Sequence, residues 1–159
     1  MKECLIKLTK DHFKYEGRNA PVFIFFDSAS TVVEEKTLER ALASIEKHCK
    51  TTRGTDFSAP LNSIFDIIST RTIKDMNVMY LTDGEDCNSR ATSRAADKLK
   101  ELLTKKEIVS RFSVLGINKE SEVRLVKKIL EIGSHEGLCS FVVPSKSNQA
   151  VVNALATTL

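Results

Sequence analysis

Residues 22–31 read VFIFFDSAST: five apolar residues run into an aspartate and then into small, mostly hydroxyl-bearing residues. The run is apolar at odd and even positions alike. This predicts a strand buried on both faces rather than an edge strand. In open α/β proteins, catalytic and metal-binding carboxylates are often delivered at the carboxyl end of such a strand. Asp27 is therefore either a reactive carboxylate or the first residue of a turn, a position Asp takes because its side chain bonds the backbone two residues on.

Working outward, helical and strand periods alternate. Leu5, Ile6, Leu8 and Phe13 make a helix stripe over residues 3–14, broken by GRNAP. After the strand at 22–26, STVV continues as a short second strand beyond a turn at Asp27-Ser28. Leu38, Ala41, Leu42, Ile45 and Cys49 recur at spacings of three and four, which predicts an amphipathic helix. A second helix carries Leu61, Ile64, Phe65 and Ile68, with Ser58 or Asp56 as its cap and Pro60 tolerated in its first turn. MNVMYL is a buried strand ending at TDGED, where Gly84 permits a sharp turn. A long helix with Ala95, Ala96, Leu99, Leu102 and Leu103 follows, then the strand RFSVLGI. A helix with Val123, Val126, Ile129 and Leu130 stops at Gly133; LCSFVV is the last strand, and Val151, Val152 and Leu155 mark a closing helix. Strands alternating with helices predict an α/β fold with a mainly parallel sheet covered on both faces. No repeat or linker divides the chain, so residues 1–159 are expected to form one domain.

The composition agrees with a globular protein: 42% hydrophobic and 28% charged residues over 159 positions. The net charge of +3 is too small, and its basic residues too scattered, to point to nucleic acid. No apolar run approaches the ~20 residues of a membrane span, and MKECLIKLTK lacks the apolar core of a secretory signal. Cys4, Cys49, Cys87 and Cys139 form no C-x-x-C pair, which argues against zinc and points to reduced thiols and a cytoplasmic location.

Three polar segments stand where chemistry could occur: DSAST after the first strand, GTD at 54–56, and DGED after the MNVMYL strand. Asp83, Glu85 and Asp86 with Thr82 offer oxygen ligands suited to Mg²⁺. The plainer reading is a D-G turn whose acids favour the N-terminus of the next helix. His12, His48 and His135 are far apart, and no phosphate-loop, dinucleotide or hydrolase-elbow motif is present.

Taken in order, FIFFDSASTVV, GTDFSAPL, VMYLTDGED and FSVLGI resemble a von Willebrand factor type A domain over nearly the whole chain. The resemblance implies a doubly wound, three-layer α/β fold and a protein-recognition module rather than an enzyme. It also implies a metal-ion-dependent adhesion site built from a D-x-S-x-S loop after the first strand, a threonine in a G-T-D loop and an aspartate in a D-G turn. The last two map onto Thr55 and Asp83, and a partner protein commonly supplies a further acidic ligand. The first element does not map onto Asp27: Ala29 stands at the third position, and only 28 positions separate Asp27 from Thr55. The stretch at 22–31 aligns better with the family's second strand. The first strand and its loop would then fall before Met1, and the chain would begin within the first helix.

A chain of that kind is a truncated gene model, a fragment or a degenerate copy, with truncation favoured because Met1 falls within an element. Without the central first strand, either the flanking strands close up or two unpaired edges remain, which invites self-association. With only Thr55 and Asp83, Mg²⁺ is expected to bind weakly or not at all. Two other functions are open to this sequence. One is an Mg²⁺-dependent phosphohydrolase of haloacid dehalogenase type with Asp27 as nucleophile, which wants an acid where Ala29 stands. The other is a scaffold domain with no intact site.

Overall fold

The apolar run at 22–26 is a strand, and its two faces belong to two different cores. The computed structural model describes residues 2–15, 19–49, 55–82, 86–116, 123–137 and 139–141. Along the chain these form α1 (Lys2–His12), β1 (Val22–Phe26), β2 (Ser30–Glu34), α2 (Leu38–His48), α3 (Ser58–Thr70), β3 (Asp75–Thr82), α4 (Ser89–Lys105), β4 (Val109–Gly116), α5 (Val123–Leu130) and β5 (Cys139–Phe141). The element order is the one expected from periodicity. The closing helix at 151–155 and the ends of the LCSFVV strand lie outside the described residues.

Side chains alternate across β1 with period two. Phe23 is buried with Ala41 and Ile45 of α2, and Leu5 and Ile6 of α1 and Phe25 pack beside them. Ile24 and Phe26 pack instead against the larger core built on α3, β3, α4, β4 and α5. Leu61, Ile68, Leu99, Phe112 and Ile129 are fully enclosed in that larger core. Burying side chains of this size contributes about 1.5–3 kcal/mol each, and α3 lies at the centre of the gain because it also packs on the hairpin. The hydroxyl of Ser30 fixes that docking, meeting Ser63 Oγ at 2.7 Å and donating to the Ala59 carbonyl at 3.3 Å.

Helix ends follow local chemistry. Thr37 Oγ1 accepts from Arg40 N at the start of α2, and Asn88 Oδ1 accepts from Ala91 N at the start of α4. At the end of α4, Ile108 N donates to Leu103 O and Glu107 N to Thr104 O, with Glu107 at φ 54°. This is a Schellman closure with a non-glycine residue in the left-handed position. It turns the chain directly into β4.

The sheet departs from the expected single, mainly parallel one. β1 and β2 pair antiparallel from Val22↔Glu34 to Phe26↔Ser30. The physical reason is the three-residue connection at 27–29, which can join only antiparallel neighbours. β3 pairs parallel with β4 from Asp75↔Val109 to Thr82↔Gly116, and β4 pairs parallel with β5. Among the described residues these are two separate sheets, ordered β1-β2 and β3-β4-β5. β1 is thus covered on both faces, as its composition requires, and among the described residues it is laddered to β2 alone, which corrects the expectation that it is not an edge strand.

The segment after α5 is laced onto β4. Ser110 N donates to Ser134 Oγ at 2.9 Å, Ser134 N donates to Ser110 Oγ at 3.3 Å, and His135 N donates to Ser110 O at 3.0 Å. No helix among the described residues is long and apolar enough to cross a membrane.

Candidate functional site

Three chain segments meet at the carboxyl ends of β1 and β3. The loop preceding α3 lies between the other two. Asp56 N donates to the Asp27 carbonyl at 2.7 Å on one side. On the other, Thr55 forms a parallel bridge with Asp86, and Cys87 N donates to Thr55 O at 2.8 Å. Thr55 is thereby joined to the segment that follows β3, the one in which the D-G turn lies. Asp83 itself, with Gly84 and Glu85, lies outside the described residues.

Two carboxylates organise the corner. Asp56 Oδ1 accepts from Ser58 N at 2.8 Å just ahead of α3; the cap position itself falls on Phe57, which makes no side-chain cap bond, and Ser58 is the first helical residue rather than the cap. Pro60 sits in the first turn of that helix, where a missing N–H costs nothing. Asp86 is 8% exposed, and its Oδ1 accepts from Phe57 N at 3.0 Å and Asn88 N at 3.3 Å. It therefore ties the start of α3 to the approach to α4. Its Oδ2 is buried without a hydrogen-bond partner among the described residues.

Below the carboxylates lies an aromatic group. Phe26, Phe57 and Tyr80 touch pairwise, with ring centroids 5.3–6.2 Å apart. The Tyr80 hydroxyl donates to the Phe57 carbonyl at 2.8 Å. Burial pushes the Tyr80 phenol well above its usual range, and the negative charges of Asp86 and Asp56 add to the shift. That ring stays neutral at physiological pH and acts as a fixed strut under the loop.

Asp27 behaves as a turn residue. Its Oδ1 accepts from Ala29 N at 3.0 Å, and its own N–H donates to Ala29 O at 2.9 Å. This is the turn chemistry expected of an Asp at that place. The histidines stay apart: His12 is hydrogen-bonded to the Asn19 carbonyl, His48 stacks on Phe25, and His135 lies beside Ser134.

The role of Asp86 as a clamp is the feature that periodicity does not reveal. From sequence it was one acid in a cluster with Asp83 and Glu85. The signal was Asn88 two positions on, a helix-capping residue immediately before α4. The oxygen donors here are of the kind a hard cation takes. No group of three or more His, Cys, Asp or Glu side chains that could hold a metal ion occurs among the described residues, which do not include Asp83 or Glu85.

No protein-family model matches the chain, and no curated protein matches it. Solved structures do. A von Willebrand factor type A protein from Catenulispora acidiphila aligns at TM-score 0.69 and 14% identity, covering 98% of this chain and 36% of that one. The manganese-loaded TRAP protein of Plasmodium vivax aligns at TM-score 0.63 and 18% identity, covering 95% and 62%. Proximal thread matrix protein 1 from the mussel byssus, with zinc in its MIDAS motif, aligns at TM-score 0.67 and 13% identity, covering 98% and 40%. The chain spans between about a third and two thirds of the length of these structures. It has a von Willebrand A-like α/β fold.

Proposed function

We propose that the chain is a protein-interaction module of the von Willebrand A type, not an enzyme, and that it recognises its partner at the corner where Thr55 meets the segment after β3. The observation that carries this reading is the two-sided seating of Thr55–Asp56 between Asp27 and Asp86–Cys87. It joins two of the loops on which such modules build their adhesion site, in a fold of the same kind. Thr55 and Asp83 are the chain's own ligands in this reading. An acidic side chain of the partner completes the set. Two ligands plus water hold Mg²⁺ poorly, so the site is degenerate in isolation.

Titration calorimetry with Mg²⁺ tests this on the parent chain and on Asp83→Ala. The expected result is binding weaker than roughly 1 mM in the parent chain and weaker still in Asp83→Ala. A micromolar site that Asp83→Ala abolishes would overturn the degenerate-site reading.

A further inference from the structure

We propose that a row of three polar side chains, Asn77, Arg111 and His135, binds a phosphoryl group on the exposed face of the β3-β4 sheet. The row is fixed by strand pairing. Asn77 of β3 stands opposite Arg111 of β4, and Arg111 in turn forms a parallel bridge with His135. Residues in register on neighbouring strands project to the same face, about 4.8 Å apart. The row therefore spans about 9.6 Å, with Arg111 at its centre.

Its composition departs from that of an ordinary parallel sheet, which is apolar and covered on both faces. The opposite face conforms: Met76, Val78, Tyr80, Phe112 and Val114 belong to the main core. On the near face Asp75, Asn77, Val109, Arg111 and His135 are all exposed. Arg111 lies on the central strand and makes no ion pair among the described residues. The Asn77 side chain makes no hydrogen bond among them either. His135 is held from behind: its Nδ1 lies 3.2 Å from Ser134 Oγ, which accepts from Ser110 N at 2.9 Å. The ring is anchored through Nδ1, so Nε2 is the nitrogen left for a ligand.

These groups select the ligand. A guanidinium fork takes two oxygens of one oxyanion side by side. A tetrahedral phosphoryl group keeps a third oxygen for the Asn77 amide or the His135 ring beside it, and a carboxylate has none to spare. Asp75 stands on the same face one row nearer the strand starts, opposite Val109. Its charge repels an anion and holds the affinity down. The row occupies the amino-terminal halves of β3 and β4, at the far end of the strands from the Thr55 corner, and does not depend on the function proposed there.

NMR titration at fixed ionic strength tests the row. The probes are inorganic phosphate, the tripeptide glycine–phosphoserine–glycine, its unphosphorylated form, and acetate. At least one of the two phosphoryl probes should give saturable shifts at the Asn77 side-chain amide, the Arg111 Nε–H and the His135 ring. The tighter of the two identifies the source of the group, free or esterified. Acetate should bind at least about tenfold more weakly. Arg111→Lys keeps the charge but loses the fork and should weaken phosphoryl binding about tenfold, whereas Asp75→Asn should tighten it. Arg94→Lys, on the exposed side of α4, should change nothing. The proposal is overturned if neither phosphoryl probe saturates, if the shifts lie away from the row, or if acetate or the unphosphorylated peptide binds as tightly. It is equally overturned if Arg111→Lys leaves the affinity unchanged or Asp75→Asn weakens it.

Discussion

Replacing Gly137 by alanine should cost roughly 3 kcal/mol of stability or more. A Cβ at Gly137 would lie 1.6 Å from the carbonyl oxygen of Phe112 and 2.7 Å from its carbonyl carbon. Neither partner can yield cheaply. Phe112 is fully enclosed in the main core and sits mid-strand in β4, which is bonded along its length to β3. The 133–137 segment is in turn pinned to Ser110 through Ser134 and His135. For a chain of this size the loss corresponds to a fall in Tm of about 6–12 °C. Gly133→Ala meets backbone atoms at 3.1 Å or more and should cost less. Chemical denaturation of both variants measures the difference, and equal stabilities would mean that the segment does not lie so close to β4.

The second large effect belongs to Asp86. Truncation to alanine strips a single carboxylate oxygen from two backbone donors, Phe57 N and Asn88 N, in a buried corner. Hydrogen bonds to a charged group contribute about 1.5–3 kcal/mol, and a buried donor left unsatisfied is costly in its own right. A loss of roughly 2–4 kcal/mol is expected for Asp86→Ala on that basis. Asp86→Asn keeps a neutral acceptor in the same place and should lose about half as much. Denaturation midpoints of the two variants give the ordering. Alanine and asparagine variants of equal stability would show that Asp86 does not clamp the two helix starts together.

Much of this architecture was legible in the sequence because burial writes itself into periodicity. VFIFF, apolar throughout, sits between two cores, and the three-and-four spacing from Leu38 to Ile45 is the face that α2 turns to Phe23. Turn chemistry was equally readable at Asp27, which bonds its own turn, and less so at α3, where Asp56 bonds Ser58 N but the cap position falls on Phe57. Strand pairing was not readable in the same way. A strand buried on both faces has the same composition whether it carries one ladder or two, so the sequence predicts an interior β1, although among the described residues only β2 pairs with it. The role of Asp86 was hidden for a related reason. Its two donors, Phe57 N and Asn88 N, lie on opposite sides of it in sequence, one of them 29 positions away, and are brought together only when the Thr55 loop seats itself between the strand ends.

That seating is the central claim, because the recognition corner depends on it. It is tested most directly by native-state amide exchange at Asp56, Phe57 and Cys87. Their N–H groups bond to Asp27 O, Asp86 Oδ1 and Thr55 O. These three amides should exchange at least about a hundredfold more slowly than in the unfolded chain, and Asp86→Ala should release Phe57 first. Exchange at Asp56 and Cys87 as fast as in an unfolded peptide would contradict the two-sided seating of Thr55–Asp56, and with it the recognition corner.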